Sequence, residues 1–275
     1  MKPAAFRYAR AGCLDEALEA LAASEGDAKV LAGGQSLGPM LNLRLARPQS
    51  LIDIRHVAEL RACSADARLF SLGATITHAE IEDGAIEDFT RGFLPFVARS
   101  IAYRAIRNRG TVGGSLAHCD PAADWVSTMA ALDATLVVNS KISGVRRLAA
   151  DQFLVGAFTS QLSATEIVAA VEVRRLSADA TWGYHKVCRK TGEFAKAIGI
   201  AVADPTAGFF RVIGGAVEGR PVILSDAATA LKRDGVHRAA EAASEEIGTR
   251  LAHLSPLHRQ QVSVAVRRSL QQMAI

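Results

Sequence analysis

Apolar residues recur along the chain with two different periods, and the places where the period changes outline its elements. Leu14, Ala17, Leu18 and Leu21 fall on one face of LDEALEALA, which predicts a helix over 14–22. A Gly26-Asp27 turn follows, then a short apolar run, Val30-Leu31-Ala32, that stops at Gly33-Gly34. Short strands are predicted at 51–54 and 69–72. Phe93, Phe96, Val97 and Ile101 keep helical spacing through 92–106. Beyond them the pattern predicts a helix at 125–132, a strand at 135–138 and a strong strand at 166–173, EIVAAVEV. Two more strands, 198–202 and 209–213, precede a helical remainder at 225–232, around 236–247 and at the C-terminus. The last helix has Ser255 as N-cap, Pro256 at its first position and an apolar face of Val262, Val266, Leu270 and Met273. The order is α/β, then α+β, then a sheet with trailing helices, with a boundary near residue 173.

Composition narrows the class. At 275 residues the chain can form one large domain or two medium ones. Its 49% hydrophobic and 22% charged residues are ordinary for a soluble globular protein. No apolar run approaches the ~20 residues of a membrane span, and the N-terminus has no apolar core of a secretory signal. The net charge of +4 is spread along the chain, which argues against a nucleic-acid partner. Cys13, Cys63, Cys119 and Cys188 are scattered, with no CxxC pair, and no HExxH is present. That usage fits a reducing cytoplasm and no protein-bound metal.

Two segments carry candidate chemistry. Ala32-Gly33-Gly34-Gln35-Ser36-Leu37 and Thr111-Val112-Gly113-Gly114-Ser115 each pair glycines with a small hydroxyl residue. A single Gly-Gly is most often an ordinary turn. Two similar loops in one chain raise a second reading, an anion-binding concavity of N–H groups and hydroxyls suited to a dinucleotide diphosphate. Neither loop fits GxGxxG or GxxxxGK[ST], so such a dinucleotide would be held by another fold. The segment from Gly34 to Gly38 also matches the GxSxG nucleophile elbow. Pro39 follows at once, however, and too little chain precedes it for the strands an elbow needs.

LAGGQSL followed by LIDI, then IRNRGTVGGSLAHCDPAAD, then GYHKVCRKTGEFA together resemble the FAD-binding medium subunit of the molybdenum hydroxylases, the xanthine and carbon monoxide dehydrogenase type. The resemblance runs over essentially the whole chain. It implies an α+β fold: a two-part FAD-binding domain of the vanillyl-alcohol-oxidase (PCMH) type, 1–56 and 57–172, followed by a smaller C-terminal domain of antiparallel sheet plus helices, 173–275. It implies that Ala32, Gly33, Gly34, Gln35, Ser36 and Leu37, with Thr111, Gly113, Gly114 and Ser115, wrap the diphosphate of a non-covalent FAD. Ile101 and Val168 would line the pocket, Asp124 would contact the flavin side and Lys186 would lie near the ring, with His118 and Asp120 in the same motif. A cation there would stabilise the anionic reduced flavin. Cys119 reads as a small spacer, and Tyr184 and Phe194 as candidates for packing near the ring or in an ordinary core.

By the same resemblance, a large partner subunit carries the molybdenum cofactor and a small one carries two [2Fe–2S] clusters. This chain would pass electrons from those clusters to an external acceptor, in a heterotrimer often doubled into a dimer of heterotrimers. The sequence offers no candidate catalytic base of its own, and the substrate is chosen by another polypeptide. Two rivals stand beside this reading: a self-contained flavin reductase or oxidase of the same fold group, similar to UDP-N-acetylenolpyruvylglucosamine reductase, and a nucleotide-binding protein without redox chemistry.

Overall fold

The computed structural model describes residues 2–273. Among the described residues three larger sheets follow one another along the chain, beside one two-stranded hairpin. The first is parallel: β1 (Arg7–Arg10), α1 (Leu14–Ala22), β2 (Ala28–Leu31), α2 (Leu37–Asn42) and β3 (Ser50–Asp53) pair in the order β1-β3-β2. The apolar stripe predicted on α1 is the face that packs, because Ala17, Leu18 and Leu21 join Ile52, Ile54 and Val57 in one buried cluster.

The middle part opens with β4 (Cys63–Ala65) and β5 (Leu69–Gly73). The chain then leaves the sheet for five short helices: α3 (His78–Glu82), α4 (Phe93–Ser100), α5 (Arg104–Arg107), α6 (Val112–His118) and α7 (Asp124–Ala131). It returns through β6 (Thr135–Ser140), β7 (Gly144–Ala149), α8 (Ala150–Phe153), a small hairpin of β8 (Leu154–Gly156) with β9 (Thr159–Ser160), and β10 (Glu166–Arg174). The resulting antiparallel sheet has the order β4-β5-β10-β6-β7. A bulge between Val168 and Ala170 breaks the β10–β6 register, and the Ala169 carbonyl there accepts from Ala74 N–H at 2.9 Å.

The third sheet joins β11 (Thr181–Val187), β12 (Ala197–Asp204), β13 (Phe209–Gly215) and β14 (Val222–Ile223) in sequence order. Helices α9 (Ser225–Asp234), α10 (Val236–Arg250) and α11 (Pro256–Gln272) complete it. Every residue of β12 is buried, which explains its unbroken apolar run. Its two faces differ: Ala197, Ala201 and Ala203 pack towards Val262, Val266 and Leu270 of α11. Ile198, Ile200 and Val202 turn the other way, into the core that holds Phe93, Trp125 and Leu136. Burying each of those larger side chains contributes about 1.5–3 kcal/mol. Small residues thus let the helix close on one side, while large ones fuse the third sheet to the middle part on the other.

The structure extends the predicted elements and corrects several. The helical pattern of 92–106 divides into α4 and α5, because Ile101 has extended backbone and Ala102 a left-handed φ of 43°. The second glycine loop is itself the start of α6. A strand over 181–187, which the periodicity did not predict, carries Lys186.

Candidate functional site

The first glycine loop connects β2 to α2. Gly34 takes a φ of +72°, a conformation that admits glycine without strain. The turn is closed by Gln35, whose Nε2 donates to the Gly33 carbonyl at 2.9 Å. Among the described residues, the backbone N–H groups of Gly33, Gly34, Gln35, Ser36 and Leu37 have no hydrogen-bond acceptor. Ser36 makes no capping bond, and no histidine among the described residues is bonded to it, so the nucleophile-elbow pattern acquires no base. Successive donors of this kind form the concavity that a diphosphate needs.

The second loop is organised differently. Thr111 is the N-cap of α6, its Oγ1 accepting from Gly114 N–H at 3.1 Å. Val112 N–H donates to the Ile76 carbonyl, Gly113 N–H to the Ala74 carbonyl and Ser115 N–H to the Thr111 carbonyl. His78 N–H closes the seam by donating to the Gly110 carbonyl. Beneath it, His78 Nδ1 accepts from Trp125 Nε1 at 3.0 Å, and burial, reinforced by the Arg107 charge, holds this imidazole down at about 4.

The two loops meet. A Cβ on Gly33 would lie 2.1 Å from the Arg109 carbonyl oxygen and 2.8 Å from Gly110 Cα, so only glycine lets these backbones touch. A Cβ on Gly114 would lie 3.7 Å from Ala32 Cβ, and one on Gly113 would lie 2.4 Å from Ala74 Cβ. Packing therefore brings together the residues that the sequence singled out at 32–37 and 111–115.

Asp124 and Lys186 also come together, although 62 positions apart. Asp124 opens α7 and is buried; Lys186 Nζ reaches its two carboxylate oxygens at 2.9 and 3.0 Å, with the side chains only 6% and 7% exposed. Two further groups complete this cluster, Tyr184, which the sequence left open between the ring and an ordinary core, and Ser100, which it did not single out. Tyr184, two residues before Lys186 on β11, donates its hydroxyl to Asp124 Oδ1 at 2.5 Å, and Ser100 at the end of α4 adds Oγ at 3.3 Å. Burial, followed by the Asp124 charge, pushes the Tyr184 phenol well above its usual range. The signal for Tyr184 was its position two residues from Lys186, which a strand turns into a shared face. Ser100 gave none.

The remaining candidates are less concentrated. Ile101 is half-buried beside the central core, and Val168 lies within it at 5% exposure. His118 packs its ring 5.2 Å from that of Phe158, and Asp120 accepts from Ala122 N–H in the turn that leads into α7. Cys119 is buried, its thiol pushed up to about 12 chiefly by burial. Phe194 is 64% exposed. Among the described residues no cluster of His, Cys, Asp or Glu is placed to hold a metal, and no helix is long and apolar enough to cross a membrane.

The α+β fold thus places an open donor loop, braced by a second glycine segment, in one chain with a buried acid–lysine pair. The chain belongs to the FAD-binding medium subunits of the molybdenum hydroxylases: residues 4–174 match the family described as FAD binding domain in molybdopterin dehydrogenase. It is 34% identical over 262 residues to the nicotine 6-hydroxylase medium subunit of Paenarthrobacter nicotinovorans, covering 94% of this chain and 91% of that one. It is also 34% identical to the carbon monoxide dehydrogenase medium chain of Hydrogenophaga pseudoflava over 236 residues, 86% of this chain and 79% of that one. Among solved structures, a carbon monoxide dehydrogenase from H. pseudoflava superposes with a TM-score of 0.89 at 30% identity, covering 100% of this chain and 99% of the other. Quinoline 2-oxidoreductase from Pseudomonas putida 86 gives 0.88 at 33%, covering 100% and 98%. The chain is the flavoprotein part of an oxidoreductase, its cofactor is FAD, and the molybdenum and iron–sulfur cofactors of such complexes belong to partner subunits.

Proposed function

We propose that this chain holds FAD non-covalently, receives electrons from [2Fe–2S] clusters of a small partner subunit and delivers them to an external acceptor. A large partner subunit with the molybdenum cofactor would carry out the hydroxylation, in a heterotrimer or a dimer of heterotrimers. The flavin supplies the redox chemistry when bound; the residues of this chain bind it, orient it and fix its electrostatic surroundings. In this reading the N–H groups of residues 32–37 and the hydroxyls of Ser36 and Ser115 take the diphosphate. Gly113 and Gly114 let the second loop close in, with Thr111 capping it. Ile101 and Val168 bound the pocket, and His118 and Asp120 flank the chain between the loop and α7. Asp124 and Lys186 serve the flavin side. The parts 1–56, 57–172 and 173–275 each carry one of the three sheets, although β10 runs two residues past the second boundary.

The observation that carries the reading is the contact of Gly33 with Arg109 and Gly110, which joins the open donor loop to the second glycine segment. Purified chain should be yellow and should release free FAD on acid precipitation. Protein that stays colourless and takes up no added FAD overturns the reading. Co-purification with a molybdenum-cofactor chain and an iron–sulfur chain tests the partners.

A further inference from the structure

Tyr184 and Lys186 project from the same face of β11, and both end on one carboxylate. Asp124 Oδ1 accepts from Tyr184, Lys186 and Ser100, whereas among the described residues Oδ2 accepts from Lys186 alone. The cluster is almost sealed: Tyr184 is 3% exposed and the rings of Phe93 and Phe96 stand 6.5 and 6.1 Å from its own. In such surroundings a carboxylate against an ammonium cancels much of that ammonium's field. Lys186 is therefore not a free cation. The field it can exert on a neighbour depends on how far other donors already satisfy Asp124. Ser100 is at the edge of hydrogen-bond range and its one hydroxyl proton also serves the Val97 carbonyl at 2.8 Å, which leaves Tyr184 as the principal neutral donor. A neutral hydroxyl disperses the carboxylate's charge without adding any of its own.

We propose that Tyr184 is a positioning residue that sets how much of the Lys186 charge reaches the flavin, by taking a share of the Asp124 carboxylate. The proposal rests on the FAD reading above and deepens it. Reduction of FAD by two electrons with uptake of one proton adds one negative charge. The preference of the site for reduced over oxidised FAD therefore reports the cation it presents. Without the Tyr184 hydroxyl, Asp124 falls back on Lys186 and that preference weakens.

The test uses the full chain loaded with FAD. Oxidised-FAD affinity is read by flavin fluorescence, and the midpoint potential by dithionite titration against an indicator dye; together they give the ratio of reduced to oxidised affinity. In Tyr184→Phe the ratio should fall about tenfold, the scale of one hydrogen bond to a charged group. Lys186→Met should lower the ratio further. Asp124→Asn should raise it by releasing Lys186 from its counter-charge, and it provides a second reading if Tyr184→Phe folds poorly. A Tyr184→Phe protein that binds FAD normally with an unchanged ratio overturns the proposal, as does an Asp124→Asn ratio that moves with that of Lys186→Met. Failure of the unaltered chain to bind FAD would instead remove the functional reading, and this one with it.

Discussion

At the turn formed by residues 32–37, backbone N–H groups have no acceptor among the described residues. At residues 111–115, the same kind of sequence turns its N–H groups inward, onto Ala74, Ile76 and Thr111. Both segments read as paired glycines followed by a hydroxyl, and what separates them is their neighbours. The first leaves a parallel strand and runs into a helix, and although Gly33 touches Arg109 and Gly110, its N–H groups are not bonded there. The second lies along residues 74–78 and begins a helix, so its donors are taken up at once. Gly-Gly composition selects a backbone that can be approached closely. Whether a ligand or the protein itself makes that approach is decided by the surrounding chain.

The two loops depend on each other most at Gly33. Gly33→Ala would force a methyl against the Arg109 carbonyl and should destabilise the fold by roughly 3–4 kcal/mol with loss of FAD, measured by urea unfolding and flavin content. Gly38→Ala, inside α2 where an added Cβ meets nothing within 4 Å, is the matched control and should keep the flavin content while raising stability by up to about 1 kcal/mol.

Acid should distinguish the loops next. His78 sits under the second loop with its pKa lowered from 6.5 to about 4, so the unfolded chain binds the extra proton between those values. Its contribution is complete above pH 6.5 and is lost as pH falls through about 4, up to about 3 kcal/mol. Hydrogen exchange at the bonded amides of 112–115 should accelerate over that window, while the acceptor-free amides of 33–37 exchange fast throughout, and the slope of stability against pH should flatten in His78→Gln.

A pair of hydroxyl deletions gives the smallest and sharpest contrast. Thr111→Ala should cost about 1 kcal/mol of stability through its lost cap. Ser36→Ala should leave the melting temperature unchanged and weaken FAD binding about fivefold, the scale of one hydrogen bond. The reverse pattern would mean that the roles assigned to the two loops are exchanged.

Much of the fold was legible because its helices are amphipathic and its central strands apolar. The stripe on α1 and the run at β10 predict their own burial. What escaped was short or mixed in character. β11 contains Thr181, Gly183, His185 and Lys186, so neither period stands out, yet it pairs along its whole length with β12. α6 was hidden because Val112-Gly113-Gly114 reads as a turn, and only the Thr111 cap and the contacts with Ala74 and Ile76 make it a helix. In the candidate site, the loops were marked by their own paired glycines and hydroxyls, and the two ionic residues by resemblance. Tyr184 had only its spacing from Lys186 to mark it, and Ser100 depends on a distance across the fold that no local pattern encodes.

The family match ends at residue 174, whereas Tyr184 and Lys186 lie beyond it, on a strand held from behind by α11. Gln272 near the end of that helix accepts from Tyr184 N–H at 2.8 Å, and Gly183 lets the Ser269 carbonyl press against the strand. The nominal flavin module is thus incomplete as a unit of inheritance or engineering. Cut at its family boundary, it would retain a sequestered carboxylate, Asp124, stripped of its counter-ion. Any graft of this module onto another protein must bring the C-terminal sheet and its last helix along.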